Sequence, residues 1–167
     1  MASCILVLWG EHFDEAAATV FTVTLRQAGL CVKVVGVNGL LAAGRNGLAL
    51  HADLALSEVM IWLQDTFCLV LPCSQAAVKR MENDPRIHEI FAGAAQNGAK
   101  FVVQDQCVVK GSTLRLCTIP RQNIVTYARV ENLVVLAKEV ANTLLQAEQA
   151  IPLPYPHVAL EPKVRPL

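Results

Sequence analysis

The pattern that decides the fold lies in residues 4–35, which read CILVLWGEHFDEAAATVFTVTLRQAGLCVKVV. The first run, Cys4–Trp9, is apolar throughout, and an apolar run without alternation indicates a β-strand covered on both faces. Apolar side chains then recur at helical spacing from residue 13 onward. Gly29 is a typical helix end, and a second apolar run follows at residues 31–35. This β-α-β order is the repeating unit of a parallel sheet.

The rest of the chain continues the alternation of strands and helices. Strand-like apolar runs occupy residues 68–71, 101–103, 114–117 and 124–127, and helical patterns separate several of them. Two Asn-Gly pairs predict a hairpin with a short strand near residues 48–50 as a side excursion. The predicted class is therefore α/β, with a flavodoxin-like, doubly wound, mostly parallel sheet and helices on both faces.

Composition and charge narrow the possible partners. Hydrophobic residues make up 54% of the chain and charged residues 17%, while the net charge is zero. A balanced charge argues against a nucleic-acid surface, which needs a basic excess, and gives no attraction to acidic membranes. The first residues do not resemble a signal peptide, and no apolar run has the length of a spanning helix. We expect a cytoplasmic protein that binds neither nucleic acid nor membrane.

The six cysteines do not form a recognisable cofactor or metal pattern. No CxxC pair occurs, so neither a zinc site nor a disulfide framework is predicted. Cys4, Cys31, Cys68 and Cys117 lie in apolar runs, where free cysteine packs as a small apolar side chain. The glycine-rich fingerprints of dinucleotide and nucleoside triphosphate sites are also missing from the sequence. We therefore predict no cofactor and no metal.

The C-terminal segment differs in composition from the rest. Residues 151–167 contain five prolines, which favours extended chain rather than packed structure. We therefore divide the chain into an α/β domain, residues 1–148, and a proline-rich tail, residues 149–167. Composition alone favours a frayed terminus. Its apolar side chains favour instead a tail docked on this subunit or on a protein partner, through Leu153, Tyr155, Val158 and Leu160.

Three stretches of the sequence resemble the ThiJ/PfpI family of the class I glutamine-amidotransferase-like superfamily. Residues 5–35 are similar to its first β-α-β unit, residues 47–59 to its hairpin and short helix, and residues 67–72 to its third core strand. The resemblance extends to about residue 104. It implies the same flavodoxin-like fold and homo-oligomers. It also implies the cysteine-dependent chemistry of glyoxalases, deglycases or amidase-like hydrolases.

The resemblance implies a catalytic glutamate and an oxyanion hole that this chain does not reproduce. Aligned without gaps, the glutamate position of the first helix holds Ala17, and Glu15 is the candidate substitute. The family's Gly-Gly pair after the third strand is replaced by Cys73 and Ser74. Their backbone N–H groups are the oxyanion-loop candidates, because any residue supplies an N–H.

The nucleophile position also departs from the family. It falls on Gln106, so Cys107, one place later, is the candidate nucleophile. Val108 and Val109 are β-branched and favour a strand over a tight elbow, so the elbow helix is predicted to be shortened or missing. Of the four histidines only His12 lies on a loop at the carboxyl end of a strand, and Asp105 is placed to orient it as a base.

Two hypotheses follow for function. In the first, this is a non-catalytic binding, regulatory or structural subunit, because nucleophile and base must lie within reach of each other for catalysis. In the second, it is a cysteine-dependent hydrolase or glyoxalase that uses Cys107, with Asp105, Glu15 and His12 in support. A redox variant of the second pairs Cys73 with Cys107.

Overall fold

A computed structural model describes residues 3–127 and 132–149 of the chain. The strands, in chain order, are β1 Cys4–Trp9, β2 Cys31–Gly36, β3 Leu41–Ala43, β4 Ala49–His51, β5 Leu54–Ala55, β6 Thr66–Leu71, β7 Lys100–Val103 and β8 Ile124–Thr126. The α-helices are α1 Glu15–Gln27, α2 Gln75–Met81, α3 Pro85–Gln96, α4 Gln106–Gly111 and α5 Leu133–Gln149. Short 3₁₀ helices occupy Leu56–Asp65, Leu116–Thr118 and Arg121–Asn123.

The core of the fold is a six-stranded sheet in the order β5-β2-β1-β6-β7-β8. Every neighbouring pair in it runs parallel. All six residues of β1 are buried, as its continuous apolar run predicts for a central strand. Among the helices, α1 packs against α5, and α3 packs against the 3₁₀ helix of residues 56–65. The predicted α/β, doubly wound class is confirmed.

Local signals in the sequence explain where the helices begin. The carboxylate of Asp14 accepts a hydrogen bond from the Ala17 amide at 3.1 Å and so caps α1. Asp84 caps α3 in the same way, with Pro85 at its first position. Gly29 has a φ of 84°, the left-handed conformation that glycine adopts without strain after a helix end. None of the helices within residues 3–127 and 132–149 is both long enough and apolar enough to cross a membrane.

The predicted hairpin is present as a separate two-stranded antiparallel sheet. Strand β3 pairs with β4, with Leu41 opposite His51. The turn places Gly47 at a φ of 89° and closes with a hydrogen bond from its amide to the carbonyl of Gly44 at 3.1 Å. The Asn-Gly pair at this turn is the signal that predicted it.

Two local predictions are wrong. Residues 114–117 form no strand: Leu116–Thr118 is a 3₁₀ turn, entered through a left-handed Arg115 with a φ of 57°. The elbow helix is also not missing: it is present as the six-residue α4, despite its two valines. Both valines are buried there, and packing against the core outweighs their weak strand preference. Strand β8 already covers β7, so the intervening segment has no edge of β7 to pair with.

The prediction that Cys117 packs in the core is wrong, because residues 114–117 form no strand. Cys117 lies in the 3₁₀ turn instead, where its side chain is exposed to solvent. Cys4 and Cys68 are buried as predicted, and Cys31 is partly buried.

Candidate functional site

The candidate site lies where the strand order of the sheet reverses. Strand β1 has β2 on one side and β6 on the other, so the chain leaves β1 and β6 in different directions. Open α/β sheets bind ligands at such a switch point, outside the carboxyl ends of the strands. Here the loops that follow β1 and β6 are joined by a hydrogen bond from the Asp14 amide to the Pro72 carbonyl at 2.7 Å.

An ion pair closes one side of this region. The Asp14 carboxylate lies 3.1 Å from the Arg45 guanidinium, and the Asp14 side chain is only 5% exposed. The hairpin supplies Arg45, whose backbone amide also donates to the Phe13 carbonyl at 3.0 Å. The hairpin is thereby fastened to the start of α1, and a buried carboxylate has the charged partner that it needs.

Cys73, an oxyanion-loop candidate, is completely buried at the end of β6. Its sulfur lies 3.9 Å from that of Met81. Burial raises the pKa of the Cys73 thiol to about 12, against the opposing effect of the Gly10 amide. The thiol is therefore protonated at neutral pH and is not a nucleophile. The neighbouring candidate, Ser74, caps α2, because its hydroxyl oxygen accepts a 3.4 Å hydrogen bond from the Ala77 amide.

Tyr127 directly follows β8 and lies in the same region. It is 2% exposed, and its hydroxyl has no hydrogen-bond partner within the described residues. Burial is the main cause that raises the pKa of Tyr127, and the negative charge of Asp14 adds to it, as do Cys73 and Asp105. Arg45 acts in the opposite direction. The phenol is therefore neutral, and its O–H is available as a hydrogen-bond donor.

The nucleophile region forms a capped helix. Asp105 is the N-cap of α4, and its carboxylate accepts from the Val108 amide at 3.0 Å. Gln106 and Cys107 come next, in the first turn, and both are exposed. Asp105 thus satisfies one of the free amides that an anion would otherwise find at this helix start.

Glu15 is bound by the hairpin turn. Its carboxylate accepts from the Asn46 backbone amide at 2.6 Å and from the Asn46 side chain at 2.8 Å. A longer bond of 3.4 Å comes from the Leu48 amide. Burial alone would raise the pKa of Glu15, but these hydrogen bonds outweigh it and hold the pKa below its ordinary value. Glu15 is a charged anchor for the hairpin turn.

His12 is exposed and has a left-handed backbone, with a φ of 61°. Its amide donates to the Ala43 carbonyl at 2.8 Å, which places it beside the hairpin. The structure therefore groups Cys73 and Asp105 near Tyr127, and it sets Glu15 and His12 against the hairpin. The predicted tail residues Leu153, Tyr155, Val158 and Leu160 lie outside the described residues.

A cavity of about 400 Å³ opens beside α4. Its walls combine apolar side chains with an amide, a thiol and two basic groups, from Gln106, Val109, Lys110, Leu116, Cys117, Ile119, Arg121 and Ile124. Lys110 and Arg121 are both exposed. Such a cavity suits a small ligand that carries both hydrocarbon and negative charge.

Sequence reasoning missed the contribution of Arg45 and Tyr127 to this region. Arg45 is far from α1 along the chain, and only the folded hairpin brings it to Asp14. Tyr127 carried a usable signal, because it directly follows the carboxyl end of strand β8, where sites form in parallel sheets.

The fold and the position of the site define a class, the doubly wound flavodoxin-like α/β proteins. No protein-family model matches this sequence, and no curated protein matches it. Solved structures do match this chain. Drosophila melanogaster DJ-1beta superposes with a TM-score of 0.72 at 17% identity, over 89% of this chain and 95% of that one.

Two bacterial structures agree with this match. A DJ-1 superfamily protein from Salmonella typhimurium has a TM-score of 0.69 at 19% identity, over 92% of this chain and 99% of that chain. A ThiJ/PfpI domain protein from Brachyspira murdochii has a TM-score of 0.66 at 16% identity, over 87% and 98%. This chain therefore has the fold of the DJ-1/ThiJ/PfpI superfamily, which confirms the resemblance predicted from the sequence.

Proposed function

We propose that this chain is a non-catalytic protein of the DJ-1/ThiJ/PfpI superfamily. It acts as a binding, regulatory or structural subunit, in a homo-oligomer or a larger assembly. The observation that carries the proposal is the 3.0 Å hydrogen bond from the Val108 amide to the Asp105 carboxylate, which makes the nucleophile elbow an ordinary capped helix start.

The groups around that helix start support a non-catalytic role. The position that the resemblance assigns to the nucleophile holds Gln106, whose amide is not nucleophilic. The position that it assigns to the glutamate holds Ala17, which is buried and carries no acid. The nearby thiol of Cys73 is protonated, since burial raises its pKa to about 12. A binding role is supported instead by the cavity beside α4, which Gln106 lines.

The alternative is a cysteine-dependent glyoxalase, deglycase or amidase-like hydrolase. Cys107 favours it, because this thiol is exposed in the first turn of α4.

Turnover assays separate the two functions. We expect the wild-type chain to convert neither methylglyoxal nor a model amide faster than Cys107→Ser does. Cys117→Ser is the matched control, because Cys117 is the other exposed free thiol among the described residues. Turnover by the wild type and by Cys117→Ser, lost in Cys107→Ser with Tm changed by only a few degrees, would establish the enzyme and refute the proposal.

The hairpin is the surface that we assign to self-association. Leu41, in β3, is 64% exposed, and Leu48, just before β4, is 55% exposed, so the hairpin presents apolar side chains to solvent. Exposed apolar side chains of this kind are candidates for burial at a protein interface. The chain's mean hydropathy of +0.42 also favours burial against another subunit.

We expect Leu41→Ser/Leu48→Ser to lower the molar mass in solution to that of a monomer, measured by light scattering. Burying two leucines at an interface contributes about 3–6 kcal/mol, enough to change a dissociation constant by more than a hundredfold. Val23→Ser is the control, since Val23 is 46% exposed on α1 outside the hairpin. An unchanged mass in the double variant would place the interface elsewhere.

The tail is a second candidate contact in the same assembly. Its apolar residues lie outside the described part of the chain, and their role rests on composition alone. Removal of residues 151–167 is expected to change the molar mass or the set of co-purifying partners. If both stay the same, the tail takes no part in assembly.

A further inference from the structure

The N-terminal edge of the sheet brings two cysteines into direct contact. Cys4 is the first residue of β1 and Cys31 is the first residue of β2. They are register partners in the parallel pair. Paired residues of parallel strands project to the same face of the sheet, and the two Sγ atoms lie 3.3 Å apart. Both are free thiols in this structure.

The backbone already has the spacing that a disulfide needs. Adjacent strands lie about 4.8 Å apart. Disulfides join Cα atoms that are about 4.4 to 6.8 Å apart. Closing the gap between the sulfurs therefore requires mainly side-chain rotation. Because both residues begin their strands, the sheet ladder restrains the backbone only on the C-terminal side of each.

The two thiols differ in access, which sets the order of reaction. Cys31 is partly exposed, whereas Cys4 is fully buried. Burial is the main cause that raises the pKa of Cys4 to about 12, and Cys31 adds to it. The positive charge of Lys33, two residues along β2 and on the same face, acts in the opposite direction and favours the Cys4 thiolate as it forms.

We propose that Cys4 and Cys31 are a redox-active dithiol that small disulfides oxidise reversibly to an intrachain disulfide. The Cys31 thiolate attacks one sulfur of the small disulfide, forms a mixed disulfide and releases one small thiolate. Cys4 then loses its proton to solvent and attacks the Cys31 sulfur, which expels the second small thiolate. Two protein thiols are oxidised and one small disulfide is reduced to two thiols, so electrons and atoms balance.

This dithiol is distinct from the candidate site. The site lies at the carboxyl ends of the strands, and the six-residue strands β1 and β2 separate the two by about 17–20 Å. The other buried cysteine of the neighbouring strand, Cys68, pairs in register with Ile5 and not with Cys4. The proposed modification therefore joins Cys4 to Cys31 specifically and does not depend on the proposed function.

Oxidised glutathione is the probe for the test. The starting protein is the full chain carrying Cys107→Ser/Cys117→Ser, which removes the two exposed thiols. We expect folded protein to lose two thiols, to yield one linked peptide pair containing Cys4 and Cys31, and to recover both thiols with dithiothreitol. Closing this loop is expected to raise Tm by about 5–10 °C.

Single variants in the same background separate the two steps. Cys4→Ser is expected to stop at a mixed disulfide, with one glutathione on Cys31, because the resolving thiol is gone. Cys31→Ser is expected to keep Cys4 as a free thiol, because Cys4 is buried. The proposal is overturned if the starting protein keeps both thiols, links other cysteines, or forms the bond only above its unfolding transition.

Discussion

Glu15→Ala is expected to lower the free energy of unfolding by about 3 kcal/mol. The Glu15 carboxylate is buried and accepts three hydrogen bonds from Asn46 and Leu48. Each group that loses its partner costs about 1 kcal/mol or more, and charged acceptors are worth more than neutral ones. Tm should fall by about 6–12 °C, measured by thermal unfolding followed by circular dichroism.

Glu89→Ala is the control for this prediction, since Glu89 is exposed on α3. Such surface substitutions usually change stability by less than about 0.5 kcal/mol. Equal, small effects of the two variants would show that the hairpin is not anchored by Glu15.

The same carboxylate gives the stability a defined pH dependence. Its pKa in the folded protein lies below the ordinary value of 4.5. Its contribution is therefore fully present above about pH 4.5 and is lost as the pH falls through the lowered pKa. Glu15→Gln, which has no charge to lose, is expected to show a shallower loss of stability in that acid range than the wild type.

Gly36→Ala is expected to lower the free energy of unfolding by about 3 kcal/mol or more. A Cβ on Gly36 would lie 1.8 Å from the Gly39 carbonyl oxygen and 3.3 Å from the Ala52 Cβ. The nearest atom belongs to the backbone of a turn, so the turn itself must move, and such overpacking is costly. Asn38, in that turn, also lies close to Gly10 of the candidate site, so the displacement would reach the site.

Gly93→Ala tests whether the clash with backbone is the cause. There the new Cβ would meet Leu63 Cδ2 at 2.7 Å, the end of a flexible side chain. Alanine is also favoured over glycine inside α3 by about 1 kcal/mol. We expect Tm to stay within about 3 °C of the wild type. A loss as large as that of Gly36→Ala would show that side-chain crowding, and not the turn backbone, limits both positions.

The candidate site was less accessible to sequence reasoning than the sheet. The sequence alignment selects the Cys107 thiol as the candidate nucleophile. The groups whose charges act on Tyr127 come from separate loops, so the sequence does not show that they lie near one another. The capping role of Asp105 could be anticipated only if α4 was recognised as a helix, and its two valines pointed the other way. The strand propensity of valine did not decide the structure of this segment. Burial of Val108 and Val109 stabilises the helix more than their strand preference disfavours it.

The sequence by itself determined the layered α/β fold, because continuous apolar runs and helical spacing leave few ways to bury that surface. It also determined the hairpin turn and the starts of α1 and α3, since capping and turn residues act over a few positions. Only the tertiary structure decided that Glu15 anchors the hairpin, and that Cys4 faces Cys31 at 3.3 Å. Those contacts join residues far apart in the chain, and their distances depend on strand order and register.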